Sequence, residues 1–212
     1  MKINLKILEK TPEIENRILT ALLPDCTRYM DAAVLQVQSK LPSIVSTAIM
    51  NMPEYISLTS GELKFEFGIP DAGAKIAELI NTWMNNIEFT YKKPYIVSRQ
   101  IRSIFSAGLI KIDFSDVLYS NFAFVQDASG YSLPWLQWLL LDGSAVLVAN
   151  HTVIIGPNSR SRTGNAVMRQ SQGRGWSVPS RYQGTINDNW ITRAIDSVAP
   201  EIENLIEGAM QI

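Results

Sequence analysis

One cysteine and one histidine are all that 212 residues supply of the side chains most used for redox and metal chemistry. A lone Cys26 excludes an intramolecular disulfide and any cysteine-rich zinc site. A lone His151 nearly removes histidine-based metal centres. No apolar run reaches the roughly 18 residues that a membrane-spanning helix needs. The first ten residues, M-K-I-N-L-K-I-L-E-K, hold no continuous apolar region, so no secretory signal is expected. No internal repeat is visible. A further scarcity is local. Between Gly143 and Asn187 there is no Asp, Glu or Lys, yet there are five arginines: Arg160, Arg162, Arg169, Arg174 and Arg181. The formal net charge is −1, so the rest of the chain carries −6 against this segment's +5. That asymmetry is the clearest physical fact in the sequence.

What is abundant is apolar: 46% of residues are hydrophobic and 18% charged, enough to bury a sizeable core. The slightly acidic balance argues against bulk nucleic-acid binding and leaves only the local basic segment for it. The length suits one large domain or one domain with appendages. The expected division is an N-terminal arm over 1–10, one α+β domain over 11–196 with an Arg-rich loop at 157–187, and a C-terminal helical extension over 197–212.

Residues 3–8 alternate as a short strand would, or form an arm that orders on a partner. Thr11-Pro12-Glu13 reads as a helix start, with Thr11 as cap. Ile14, Ile18, Leu19 and Leu22 follow as an apolar stripe that Pro24 stops or kinks. From Asp25 to Met52 a second helical face carries Tyr29, Ala33, Val37, Leu41, Ile44, Val45, Ala48 and Ile49, and Pro42 is placed to divide it. Pro53 and Gly61 punctuate the chain. Residues 62–67 alternate as a strand, but Gly68 followed by Pro70 is also a helix end, and both readings stay open. Asp71 can cap a helix with the stripe Ile76, Leu79, Ile80 and Trp83. Ile87, Phe89 and Tyr91 predict a strand; Ile110, Ile112 and Phe114 predict a stronger one; Phe122 to Val125 is a third candidate. Residues 96–108 read as a short helix or an irregular segment. Asp127 to Gly130 is loop chemistry, and Leu133 to Gly143 a compact buried helix. Two apolar runs around Asn150-His151 predict a hairpin turning there. Asn187, Asp188 or Asn189 caps the last helix, whose face runs from Ile191 to Ile206 with Pro200 as a break. The class expected from this order is α+β, long helices on a small, mainly antiparallel sheet.

No reaction declares itself. Nothing places a serine and a carboxylate beside His151, which reads as a surface polar residue at a turn. Cys26 lies on an apolar helix and reads as a small buried side chain. Gly156 to Gly164 lacks the Gly-Lys-Ser/Thr ending of a phosphate loop. The pairs Glu62/Glu66 and Asp113/Asp116 have no accompanying ligands. The arginines differ, because guanidinium groups pair bidentately with carboxylates and phosphates. Three readings stand: a solvated flexible loop, a surface for a protein partner bearing acidic patches, and direct contact with nucleic acid.

Leu133-Pro134-Trp135-Leu136-Gln137-Trp138 through Asp142-Gly143 carries a resemblance. So do Gly156-Pro157-Asn158, Ser161-Arg162-Thr163-Gly164-Asn165 and Gly175-Trp176-Ser177-Val178-Pro179. Gly184-Thr185-Ile186-Asn187-Asp188-Asn189-Trp190 closes it, and Pro53-Glu54-Tyr55 to Pro70-Asp71 extends it upstream. Over about residues 25–195 these resemble the tail-completion and neck proteins of tailed bacteriophages, with the lambda Z minor tail protein as functional relative. The resemblance implies a structural virion protein assembled in the host cytoplasm, forming a homo-oligomeric ring at the head–tail junction through which DNA passes. It implies no enzyme activity and no cofactor. Its implied partners are copies of itself and neighbouring neck, tail-terminator, tube or sheath proteins, with DNA in the channel as a non-specific contact and no membrane. The alternative is a nucleic-acid-binding module using the same arginines. The greater length of this chain departs from simpler relatives.

Overall fold

The computed structural model describes residues 10–108, 114–127, 129–173 and 175–211. The expected strand or arm at 3–8 and most of the expected strand at 110–114 lie outside them. The class is α+β: mostly helical, with three separate two-stranded antiparallel sheets among the described residues. The chain divides into two compact units. Unit 1 comprises Met1–Leu41, Glu88–Gly108 and Glu203–Ile212; unit 2 comprises Pro42–Ile87 and Leu109–Ile202.

Helix α1 runs unbroken over Thr11–Asn51, so neither Pro24 nor Pro42 ends it. A proline removes one i→i−4 hydrogen bond, and a helix of this length has many others. The division between units nevertheless falls at Leu41/Pro42. Thr11 is the first helical residue rather than the cap, and the Lys10 amide donates to Glu13 Oε2 at 3.2 Å. Ala33, Val37, Leu41, Val45, Ala48 and Ile49 are buried as expected. Ile18 and Leu22, from the expected N-terminal stripe, are instead 54% and 48% exposed. Periodicity shows which residues share a face, not whether anything covers it.

In unit 1, strands β1 (Glu88–Val97) and β2 (Gln100–Gly108) form a hairpin, correcting the helical or irregular reading of 96–108. Val97 pairs with Gln100, so the turn is Ser98-Arg99, with φ of 48° and 59°. Positive φ at both central residues makes a type I′ turn, the hairpin turn usually announced by Asn-Gly. This one carries no glycine signal. The register shifts between Lys92 and Tyr95, where Pro94 has no N–H to give the ladder. Tyr91 Oη donates to Asp31 Oδ1 at 2.8 Å and Lys93 Nζ to Asp31 Oδ2 at 3.2 Å. The Tyr91 and Lys93 donors hold the Asp31 carboxyl below its ordinary range.

Unit 2 packs short helices around tryptophan. Helix α2 (Pro53–Ser60) is followed, after Gly61, by α3 (Glu62–Glu66). The open reading at 62–67 therefore resolves to helix. Gly68 takes φ 63°, and the Gly68 and Ile69 amides donate to Phe65 O and Lys64 O, closing α3 as a left-handed glycine does. Helix α4 (Ala72–Asn85) buries the expected Ile76, Leu79, Ile80 and Trp83. Asp71 precedes it but takes a left-handed φ of 51° and makes no side-chain cap. Phe114 is no strand residue; it precedes α5 (Ser115–Leu118) at φ 50°. A 3-10 turn at Asn121–Ala123 leads to β3 (Val125–Gln126), which pairs with β4 (Ser132–Leu133), a shorter strand than expected. The Asp127 carboxylate accepts from the Ser129 and Tyr131 amides, closing the predicted loop.

Helix α6 (Trp135–Leu140) buries Trp135 fully, with its indole N–H donating to Phe122 O. Strands β5 (His151–Ile155) and β6 (Ala166–Gln170) pair across the loop 156–165. The hairpin thus turns at the arginines rather than at Asn150-His151. Another 3-10 turn spans Ser180–Tyr182. Helix α7 (Trp190–Ser197) starts with a capping box: Asn189 Oδ1 accepts from the Ile191 and Thr192 amides, and Thr192 Oγ1 accepts from the Asn189 amide. Val198 ends it, and α8 (Ala199–Met210) begins just ahead of Pro200, which sits in its first turn, so the expected break is present and falls two residues before the proline. Trp190 is fully buried, stacks edge-on against Trp83 at 5.9 Å and donates its indole N–H to Ile49 O.

Candidate functional site

The five arginines do not form one loop. Residues 157–187 include β6 and the 3-10 turn, and each arginine has its own surroundings. Arg162 is a clamp. Its Nε donates to Gly68 O at 3.1 Å, Nη2 to Phe67 O at 3.2 Å and Nη1 to Gln126 O at 3.3 Å. It ties the hairpin loop to the end of α3 and to β3, and desolvation holds its pKa below the usual arginine value. Arg181 pairs with Glu62 and lies over the Tyr182 ring. Arg174 lies outside the described residues. Arg160 and Arg169 remain. Both are exposed, and neither guanidinium has a hydrogen bond or ion pair among the described residues. Arg160 sits in the loop, where its amide donates to Asn158 Oδ1; Arg169 stands on β6 opposite Thr152.

The alternation of β5 and β6 sorts the hairpin's two faces. Val153, Ile155, Met168 and Ala166 share one face by register; Thr152, Ile154, Val167 and Arg169 share the other. Ile154 and Ile155 remain 42% and 54% exposed. The outer edges of β5 and β6 meet no further strand among the described residues. This is an unpaired, partly apolar and basic hairpin, the sort of surface that accepts a neighbour.

Beneath the hairpin is a cavity of about 380 Å³, lined by Phe67, Trp138, Trp176, Val153, Met168, Glu66 and the loop arginines Arg160 and Arg162, among others. Trp176 packs edge-on against Phe67 at 5.6 Å, and its indole N–H donates to Glu66 Oε2 at 3.3 Å. Burial pushes the Glu66 carboxyl up to about 7, and Glu62 adds to this, while the Trp176 hydrogen bond and Arg181 oppose it. The folded state therefore holds a proton that the unfolded chain has released. Stability from this group is present in full below the unfolded value near 4.5 and is lost as pH rises through about 7. Glu66→Gln should flatten that slope and raise stability at pH 8 by about 1 kcal/mol, a value discounted for the group's partial exposure. Urea denaturation of both proteins at pH 5 and pH 8 measures it; parallel pH profiles would refute it.

The other expected chemistry stays unassembled. His151 is the first residue of β5, and its Nδ1 lies 2.8 Å from Ala149 O, so it is a strand residue and not a turn residue. Cys26 is a half-buried free thiol. Of the carboxylate pairs, Glu62 is taken by Arg181 and Glu66 by Trp176; Asp116 accepts from Asn86 Nδ2 and Asp113 lies outside the described residues. No group of three His, Cys, Asp or Glu placed to hold a metal occurs among the described residues, and no described helix is long and apolar enough to cross a membrane.

Sequence reading missed two arrangements. One is the Glu66–Trp176 contact across 110 residues; the other is a charge cluster in which Arg193 donates to Glu54 Oε1 at 2.6 Å and Asp188 Oδ1 at 2.7 Å. Glu66 and Trp176 lie 110 residues apart and Glu54 and Arg193 139, separations that leave no local pattern; only Asp188, five residues before Arg193, is near in sequence. No protein-family model, curated protein or solved structure matches this chain.

Proposed function

We propose that this chain is a structural virion protein of a tailed phage, one copy in a ring at the head–tail junction through which DNA passes. The family resemblance in the sequence motivates the reading. The observation that carries it is the β5–β6 hairpin, where two unpaired strand edges, exposed Ile154 and Ile155, and two unpartnered arginines lie together. Such a surface is better suited to a protein neighbour than to solvent. The nucleic-acid alternative uses the same arginines but has fewer of them to use. Arg162 and Arg181 are occupied within the chain, leaving Arg160 and Arg169 among the described residues. A backbone-tracking site needs a longer row of cations.

Arg160→Gln together with Arg169→Gln should leave the melting temperature within about 2 °C, because exposed, unpartnered side chains add little to stability. In a phage carrying the gene, the same pair should reduce the yield of tailed particles at least about tenfold, a loss of roughly 1.4 kcal/mol in one contact repeated around a ring. Electron microscopy counts the particles. Normal yield would remove the hairpin from assembly, and steeply salt-dependent DNA binding by the purified chain would favour the alternative.

A further inference from the structure

The unpartnered cations of the hairpin have a counterpart elsewhere on the same chain. After Arg193 no Lys or Arg occurs, while Asp196, Glu201, Glu203 and Glu207 do. Glu203 and Glu207 stand one turn apart on α8, both exposed, and neither has a hydrogen bond or ion pair among the described residues. Their placement is unfavourable for a helix by itself. Like charges at i and i+4 repel, and an acid near a helix C-terminus opposes the dipole. The last turn of α8 holds no basic residue to offset either effect. Some acids are taken within the chain, Asp25 by Arg28, Asp31 by Lys93, Glu62 by Arg181 and Asp188 by Arg193, whereas Asp71, Glu78, Glu88, Asp196 and Glu201 are exposed and, like Glu203 and Glu207, have no side-chain partner among the described residues. Among these free acids only Glu203 and Glu207 stand four residues apart on one helix, exposed as Arg160 and Arg169 are.

We propose that the β5–β6 hairpin of one copy docks on helix α8 of a second copy, with Arg160 and Arg169 set against Glu203 and Glu207. This rests on the assembly reading above and names the contact that builds the assembly. Ile154 and Val167 share the hairpin face with Arg169, so apolar contact to the half-buried Ile202 and Ile206 accompanies the charges. The contact joins two different patches. Each copy that offers its hairpin keeps its own α8 for the next, and a head-to-tail contact of this kind closes into a ring when the rotation per copy permits.

Light scattering on the purified chain tests it, with circular dichroism to confirm folding. The native chain should be oligomeric in low salt and shift towards monomer in high salt. Arg160→Glu with Arg169→Glu, and separately Glu203→Arg with Glu207→Arg, should each weaken association about 100-fold, since each turns two attractions into repulsions. All four changes together should restore the native mass. Failure of this restoration would overturn the contact, because the quadruple variant has the same charges with their places exchanged. An oligomer indifferent to Glu203→Arg with Glu207→Arg would overturn the α8 contact and leave the ring reading standing. A native chain that remains monomeric at every concentration and salt would overturn both.

Discussion

Arg193→Ala is expected to destabilise unit 2 by about 3–5 kcal/mol, the loss found when one partner of a buried ion pair is removed. Glu54 is the reason. It is 2% exposed on α2, and Arg193 on α7 gives its Oε1 a 2.6 Å hydrogen bond across 139 residues. Its other oxygen, Oε2, is buried with no hydrogen-bond partner in the described structure. The guanidinium is thus the main compensation for a carboxylate taken out of water. Without it, the folded state must hold a bare buried charge. Arg193 also binds Asp188 at 2.7 Å, but that carboxylate is 72% exposed and can return to water at little cost. Calorimetry should show a drop of about 10 °C for a chain of this size. The double change Glu54→Gln with Arg193→Met should recover most of it, because it removes both charges. If the double variant is as unstable as Arg193→Ala, the loss comes from packing and the buried-charge explanation is wrong.

The second large effect concerns a residue with no side chain. A Cβ on Gly184 would lie 2.5 Å from Leu139 O, 2.7 Å from Leu140 O and 2.9 Å from the Asn189 Cβ. Gly143 meets the same backbone segment, since its Cβ would fall 2.7 Å from Gly184 N. The end of α6 and the segment before α7 approach here backbone to backbone. Two of the three obstacles at Gly184 are carbonyl oxygens that cannot swing aside, so Gly184→Ala should cost about 3 kcal/mol, at the upper end for overpacking. It should also disturb the Asn189 cap, five residues on, and so loosen the start of α7. Amide hydrogen exchange reads this directly: the Ile191 and Thr192 amides, both held by Asn189 Oδ1, should lose protection before the rest of α7. Unchanged stability in Gly184→Ala would mean that the two segments can separate without penalty.

Helices with a covered face were the most legible part of the sequence. The stripe of α4 and the central face of α1 are buried as their spacing predicts, and the Asn189 cap is where Asn-Asp-Asn suggested. The failures have separate causes. Residues 100–108 satisfy two periods at once: Ile101, Ile104 and Phe105 fit a helix, while Ile101, Ser103 and Phe105 fit the inner face of a strand. Ser98-Arg99 gave no turn signal, because neither residue is one that usually tolerates positive φ. Asn150-His151 drew the hairpin turn to the wrong place, although Asn150 does take a left-handed φ of 54°. At the candidate site the charge asymmetry was visible, but not which arginines were free. Arg162 finds carbonyls 94 and 95 residues away and Arg181 finds Glu62 119 residues away, and such separations leave no trace in one sequence.

The make-up of unit 1 has a consequence for synthesis. It gathers Met1–Leu41, Glu88–Gly108 and Glu203–Ile212, and Tyr29 Oη donates to Ala209 O from 180 positions away. Glu203–Ile212 is synthesised after every other segment of unit 1, so unit 1 cannot be completed before that segment emerges. Unit 2 needs nothing beyond Ile202 and is nearly whole by then. The exposed apolar side chains of α1, Ile18 and Leu22 among them, are made well before the α8 segment of their unit. A chain cut short before Glu203 would keep its tryptophan-rich unit and present an unfinished N-terminal one to the cell's proteases.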